Sequence, residues 1–140
     1  MKLHSTVLLV IVILLTGICA PSEEKAQTAA AEAAAAQWLA LVDAGNYAVS
    51  WNEAAQLFKT KVAKEQWSAM IESARAPLGK LGARKLKSLT YETSLPGAPD
   101  GQYVVIQYQS SFEHKKSAVE TVTPMLDKDG QWRVSGYFIK

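Results

Sequence analysis

Residues 101–140 constrain the fold of this chain more than any other stretch. Only here do apolar residues recur with a period of two across three consecutive runs. In the first run one face carries Val104, Ile106, Tyr108 and Phe112, and the other carries Tyr103, Val105, Gln107 and Gln109. This alternation is typical of a β-sheet that is covered on one side. A helical layer elsewhere in the chain must supply the cover.

Two features predict how the last strands pair. The dipeptide Asp129-Gly130 is a strong hairpin signal, and it predicts a two-residue turn. In that register Glu120 shares a sheet face with Tyr137. Pro124 cannot donate a hydrogen bond to a neighbouring strand, so we expect its strand to lie at an edge or to be irregular there.

An earlier strand is predicted over 84–94, where lysines mix with Leu86, Leu89 and Tyr91. The parity of these apolar residues switches between Leu86 and Leu89, which a bulge or a bend in the strand explains. The segment 95–101 is rich in turn-forming residues and connects this strand to the next.

The N-terminal half predicts three helices. Residues 23–42 are dominated by alanine, which has the highest helix propensity, and Gly45 is suited to end this helix. A second helix is expected over 47–59, and a third is expected from Ala63 until Pro77 stops it.

Helices followed by strands predict an α+β fold. We expect three N-terminal helices to pack on one face of a curved four-stranded antiparallel meander, which leaves a conical hollow between the layers. A single domain is expected over 29–140, preceded by a short polar tether over 21–28.

Residues 1–20 have the layout of a bacterial secretory signal, because Lys2 precedes an apolar run and then small residues. This predicts export to the periplasm of a Gram-negative bacterium. Three interpretations of the segment stay open. Cys19 is placed like the lipidated cysteine of a lipoprotein, which would tether the protein to the outer membrane. The others are cleavage after Ala20 and an uncleaved anchor over 3–20.

Composition and motifs exclude several kinds of site. The 15 basic and 13 acidic residues give a net charge of +2, which does not indicate a nucleic-acid binder. Beyond the export segment His114 is the only histidine, so neither a metal site nor a Ser-His-Asp triad is expected. No cofactor is expected, because the glycine-rich phosphate-binding motif GxxxxGK[ST] is absent.

Several multi-residue segments carry a resemblance to a known family: WLALVDAGNY, WNEAAQLF, KEQW, RAPLGKLGARK, LPGAPDGQYVVIQY and ETVTPMLDKDGQWRVSGY. They extend from Trp38 to Tyr137 and resemble the bacterial family called domain of unknown function 4019. The resemblance implies the cone-shaped fold shared by nuclear transport factor 2 and ketosteroid isomerase. It implies no activity, because that family is uncharacterised and a fold does not determine a function.

The candidate site residues are those expected to reach the hollow. They are Trp51, Arg75, Arg84, Tyr108, Ser110, Glu120 and Tyr137. Glu120 is the candidate catalytic residue, because a carboxylate among apolar side chains would have a raised pKa suited to general-base catalysis. The alternative is that Glu120 pairs with an arginine or points to solvent.

The other candidates also have two interpretations each. Arg84 either anchors a ligand carboxylate or belongs to a solvated edge strand, and attraction to the helix dipole suffices to explain Arg75. Tyr108 and Tyr137 either present hydroxyl groups to a cavity or are core tyrosines with satisfied hydrogen bonds. Trp51 either stacks on a ligand or packs in the core.

Two function classes follow. The preferred one is a non-catalytic envelope protein that binds a small apolar ligand or an envelope protein through its conical pocket or sheet face. The alternative is an isomerase-like or hydrolase-like enzyme that uses Glu120 with Tyr108 or Tyr137. Pairing of two copies through the outer sheet face, at Tyr103 and Val105, is a related hypothesis. Contact with a membrane is expected only through the lipid anchor or the export segment.

Overall fold

Helices come first in the chain and strands follow. The computed structural model describes residues 21–140. Its helices are α1 (Pro21–Asp43), α2 (Tyr47–Asn52), α3 (Gln56–Lys61) and α4 (Lys64–Arg75), with a 3₁₀ turn at Ala76–Leu78. Its strands are β1 (Leu81–Glu92), β2 (Tyr103–Phe112), β3 (Lys115–Leu126) and β4 (Trp132–Ile139). The predicted α+β fold class is confirmed.

The four strands form one antiparallel sheet in the order β1-β2-β3-β4, as a meander requires. Helix α1 contacts all four strands and therefore crosses the covered face of the sheet. Its buried side chains recur at helical spacing, which directs one stripe of the helix at the sheet. They are Ala31, Ala35, Trp38, Leu39 and Val42.

The second predicted helix is divided into two, so the structure has four α-helices in residues 21–140 where three were expected. Between α2 and α3 the chain docks on the sheet, because the Ala55 N–H donates to the Val134 carbonyl at 2.8 Å. Ala54 and Ala55 are both fully buried. A backbone bond to a strand replaces one helical bond here, and local helix propensity gives no warning of it.

The β3–β4 register confirms that Glu120 and Tyr137 share a face, although the turn differs from the prediction. The Asp127 N–H donates to the Gln131 carbonyl at 2.9 Å, which leaves three residues in the turn. A register shift between Thr123 and Pro124 offsets the extra residue. The irregularity expected at Pro124 is thus confirmed, and it restores the predicted face for Glu120, which lies opposite Ile139.

Strand β1 carries the predicted change of parity. Its pairing with β2 shifts between Leu86 and Ser88, so Leu86 lies opposite Tyr108 and Leu89 lies opposite Ile106. A bulge of one residue therefore keeps both leucines on the same face of the sheet, where Leu89 packs against the core and Leu86 is 49% exposed.

Tyr103 departs from the expected exposed outer face, because only 1% of its surface is accessible. Its hydroxyl donates to the Pro99 carbonyl at 2.6 Å, so the β1–β2 connection packs over the ring. Val105 is half-buried. Pairing of two copies through this face stays a prediction, and Tyr103 is not available to it.

The N-terminal boundaries differ from those expected from the sequence. Residues 21–28 form the first turns of α1 rather than a separate tether. The export segment, including Cys19 and the anchor alternative over 3–20, lies outside the described residues. From residue 21 onward, no helix combines the length and the apolar character needed to cross a membrane.

Aromatic rings fill the space between the helices and the sheet. The Trp38 ring centroid lies 5.6 Å from that of Tyr137 and 5.7 Å from that of Trp67. Phe58 lies 4.9 Å from Trp67 in an edge-to-face arrangement. Such contacts are favourable beyond the burial of area alone. Four packed rings therefore occupy the middle of the expected hollow.

Candidate functional site

One polar side chain from each strand lies on the covered face of the sheet. We call Arg84, Ser110, Glu120 and Tyr137 the polar row. Arg84 lies directly opposite Ser110, whereas Glu120 lies opposite Tyr108 and Ile139. The diagonal neighbours on one face of a sheet are within reach of long side chains. The register therefore brings the polar row together around Glu120.

Glu120 is fully buried and accepts four hydrogen bonds. Its Oε1 atom accepts from Arg84 Nε at 2.7 Å and from Ser110 Oγ at 2.5 Å. Its Oε2 atom accepts from Arg84 Nη2 at 3.1 Å and from the Tyr137 hydroxyl at 2.5 Å. A carboxylate has about four acceptor positions. All of those on Glu120 are thus in use.

The ends of two helices extend this cluster. Asp43, the last residue of α1, accepts from Arg84 Nη1 at 2.7 Å and from Arg84 Nη2 at 3.0 Å. Arg75, the last residue of α4, donates from Nη2 to Asp43 Oδ1 at 2.8 Å. We call the polar row together with Asp43 and Arg75 the charged network. It contains two arginines and two carboxylates, so its formal charge is zero.

The pKa of Glu120 is lowered, and the expectation of a raised pKa is wrong. Burial alone raises it, but the hydrogen bonds from Arg84, Ser110 and Tyr137 favour the ionised form and outweigh burial. The pKa of Asp43 is lowered for the same reason, since burial is outweighed by Arg84 and Arg75. Both groups are therefore carboxylates at neutral pH.

The pKa values of Tyr137 and Arg84 shift in the opposite direction and are both raised. Burial raises the pKa of Tyr137, and the nearby Glu120 charge raises it further. Burial lowers the pKa of Arg84, but its bonds to Asp43 and Glu120 more than reverse this effect. Asp43, Arg84, Glu120 and Tyr137 are thus each held in the protonation state that their partners stabilise.

This arrangement suits a structural role better than proton transfer. A general base needs a free acceptor atom and a pKa near the working pH. Glu120 has neither, because its oxygens are occupied and its pKa is lowered. Of the two interpretations of Glu120, the pairing with an arginine is the one that the structure shows.

The structure brings most of the predicted site residues together. Glu120 contacts Arg84 and Tyr137 directly, and Arg75 joins them through Asp43. Tyr108 lies opposite Glu120 on β2, and burial raises its pKa, with a contribution from the Glu32 charge.

Trp51 lies apart from the charged network. Its indole N–H donates to the Val62 carbonyl at 2.8 Å. The Lys59 and Lys64 ammonium groups lie 5.6 Å and 5.2 Å from the centre of its ring. Trp51 packs against the edge of the core and does not reach Glu120.

Asp43 is the member of the network that the sequence interpretation missed. A carboxylate at the C-terminal end of a helix is unfavourable, because the helix dipole places partial negative charge there. The unfavourable position of Asp43 at the end of the first helix was the available signal, since it implies a nearby cation. The cation could not be identified, because Arg84 is 41 residues away in the sequence.

A groove separate from the network opens at the end of the fold that holds the β3–β4 turn. We call it the hairpin groove; its volume is about 800 Å³. Its apolar lining residues are Ala54, Leu57, Pro99, Met125 and Leu126, and its charged ones are Glu53, Lys59, Asp100, Asp127, Lys128, Asp129 and Arg133. Ligand pockets typically measure about 300–1,000 Å³ and are mostly apolar with a few polar groups.

Ion pairs of Arg133 hold one wall of the hairpin groove in place. Arg133 donates to Asp127 at 3.0 Å and to Asp129 at 2.9 Å, which fixes the turn. These three charges are thus engaged with one another. Across residues 21–140, no group of three or more His, Cys, Asp and Glu side chains is arranged to hold a metal ion.

Comparison with known proteins identifies the family. The family model described as "Protein of unknown function (DUF4019)" matches residues 34–137. No curated protein and no solved structure matches the chain. The cone-shaped fold that the resemblance implied therefore stays a prediction. Because the family model spans most of the chain, this protein belongs to the DUF4019 family of proteins of unknown function.

Proposed function

We propose that this protein is a non-catalytic binding module of the bacterial cell envelope that takes a small apolar ligand in the hairpin groove. The observation that carries the proposal is the groove itself, which combines apolar and charged lining residues in a volume suited to a small molecule. The proposal moves the binding site from the centre of the fold to its end, because packed rings occupy the centre.

The charged network supports a binding function over a catalytic one. An isomerase-like or hydrolase-like enzyme would need Glu120 to take a proton from a substrate. Its oxygens already accept from Arg84, Ser110 and Tyr137. A substrate would have to displace charge-assisted hydrogen bonds, which are the stronger kind. A ligand in the hairpin groove displaces none of them.

Neutral apolar probes test this proposal, and the measurement locates the residues at which they bind. Isotope-labelled protein is titrated with 1-octanol and with indole, and the amide chemical shifts are followed by NMR. We expect the shifts to cluster at Leu57, Thr60 and Leu126. Shifts centred on Trp38 and Tyr137, or no saturable shift anywhere, would overturn the proposal.

Two variants make the test specific. Leu57→Trp places a larger side chain in the groove, and we expect it to weaken probe binding by about tenfold. Met70→Trp is the matched control, because Met70 is 56% exposed on α4 and does not line the groove. Equal effects of the two variants would show that the probes bind elsewhere.

Export to the envelope is the second part of the proposal, and it is supported by the secretory layout of residues 1–20. Mass spectrometry of protein purified separately from the membrane, periplasmic and cytoplasmic fractions of its own cells tests it. A mass that includes lipid on Cys19 supports tethering, and a mass that begins at Pro21 supports a free periplasmic form. Recovery only from the cytoplasm would contradict export.

A further inference from the structure

A second cavity lies beside the charged network, between the end of α1 and the connection from α4 to β1. Its volume is about 450 Å³. Arg75, Lys80, Asp43 and Glu113 line it together with Tyr47 and Leu81, among others. It shares no lining residue with the hairpin groove. We call it the Arg75 cavity.

Arg75 has hydrogen-bonding capacity that residues 21–140 do not use. Its side chain is only 6% exposed. Its Nη2 group donates to Asp43, but its Nε and Nη1 groups have no hydrogen-bond partner in that part of the chain. The Phe112 ring covers the guanidinium at 4.9 Å, which favours the cation but accepts neither N–H. Buried donors are normally paired, so two unpaired ones on one side chain indicate a partner yet to be bound.

The Nε and Nη1 groups are themselves buried, so a ligand reaches them only if Arg75 turns, and this turn would not leave a carboxylate unpaired. Asp43 accepts from Arg75 only at Oδ1, whereas Arg84 donates to both of its oxygens, at 2.7 Å and 3.0 Å. If Arg75 turns toward a ligand, Asp43 therefore keeps a two-point pair with Arg84.

The charges around the cavity select the class of ligand. A guanidinium prefers planar or phosphate-type anions. Asp43 and Glu113 line the same space, and their repulsion of an anion grows with its charge, which disfavours dianions such as phosphate relative to a monoanion. Lys80 adds one positive charge, and Tyr47 and Leu81 offer contact to an apolar body.

We propose that the Arg75 cavity binds a small monocarboxylic acid, with Arg75 turning toward the cavity to donate to its carboxylate and Lys80 at the rim. This proposal does not depend on the one for the hairpin groove. Neutral probes test the hairpin groove, whereas a carboxylate tests the Arg75 cavity.

Hexanoate is the probe, and the Arg75 Nε–H resonance of the isotope-labelled protein is the readout. We expect a saturable shift of that resonance with a Kd below about 1 mM. Arg75→Gln should weaken binding by about tenfold or more, because it removes a charge-assisted pair. Lys80→Met should weaken it less, and Lys85→Met, a surface lysine outside the cavity, should leave it unchanged.

A further variant keeps the test valid if Arg75→Gln does not fold. Ala76→Phe retains Arg75 and fills the cavity, so it should abolish the hexanoate shift while the circular dichroism spectrum is unchanged. Binding of 1-hexanol or of inorganic phosphate as tight as that of hexanoate would overturn the proposed class. An unmoved Arg75 resonance, or equal loss in the Lys80 and Lys85 variants, would overturn the site.

Discussion

Replacing Glu120 by glutamine tests the charged network most directly. Glu120→Gln keeps the shape of the side chain but removes its charge. In either orientation the new amide NH2 group faces an Arg84 N–H and one of the two hydroxyls, Ser110 or Tyr137, that donate to the carboxylate in the native protein. Removing one partner of a buried pair typically costs about 3–5 kcal/mol. We expect the lower end, about 3 kcal/mol, because Arg84 keeps its pair with Asp43 and is 14% exposed.

Urea unfolding at pH 7 measures this loss as a change in the midpoint at constant slope. The matched control is Glu72→Gln on the exposed face of α4, where we expect a change of about 0.5 kcal/mol or less. The difference between the two variants isolates the effect of the buried charge from that of a glutamine on a helix or strand. A loss below about 1 kcal/mol for Glu120→Gln would contradict the proposed strength of the network.

The pH dependence provides the sharper check on Glu120. Its folded pKa lies below the ordinary value of 4.5, and that of Asp43 lies below 3.8. A lowered pKa contributes stability that is full above the unfolded pKa and is lost as the pH falls through the folded one. Wild type and Glu120→Gln should therefore differ most near neutral pH and converge in acid. A difference that stays constant from neutral to acidic pH would refute the reasoning.

Three smaller predictions use the same unfolding assay. Tyr137→Phe removes one donor to Glu120 and should cost about 2 kcal/mol; carbon NMR titration should show the Glu120 pKa rising, and an unchanged pKa would contradict the assigned bond. Gly79→Ala should destabilise more than Gly45→Ala. Both have positive φ, but of the two only Gly79 would place a Cβ against side-chain atoms, at 2.8 Å. Equal losses of unfolding free energy in the two variants would show that this contact relaxes. Ser50→Ala should cost about 1–3 kcal/mol, because the buried Trp67 indole N–H loses its acceptor at 3.0 Å; a neutral result would mean that water replaces the hydroxyl.

The sheet was predictable because its signals are local and repeat. Period-two alternation identified β2, the switch between Leu86 and Leu89 identified the bulge of β1, and Pro124 identified an irregular point in β3. Each of these follows from the geometry of one strand and its neighbour.

The helices were predictable in position but not in number. The break between α2 and α3 depends on a hydrogen bond from Ala55 to Val134, a residue about half the chain away. Alanine favours continuing a helix, so the local sequence points the wrong way. Tertiary contacts override propensity at such positions, and a single sequence does not show those contacts.

The membership of the site was partly predictable, and its chemistry was not. Sheet parity was sufficient to place Glu120 with Tyr137. The sign of the Glu120 pKa shift depends on which donors surround the carboxylate once it is buried. Arg84, the main donor, comes from a strand 36 residues earlier. Burial and ion pairing shift the pKa in opposite directions, so proximity to apolar residues alone predicted the wrong sign.

The charged network also bears on where a ligand can enter. Helix α1 packs on the sheet through Trp38, Leu39 and Val42 in its second half and through Ala31 and Ala35 before them, and polar contacts fix both of its ends. At one end Gln27 accepts from the Trp132 indole N–H at 2.9 Å, and at the other Asp43 is paired with Arg84. Opening the layer between helix and sheet would break both attachments and separate the Trp38 and Tyr137 rings. Binding at the edges of the fold, in the hairpin groove and the Arg75 cavity, requires neither change, and this is why we place both proposed sites there.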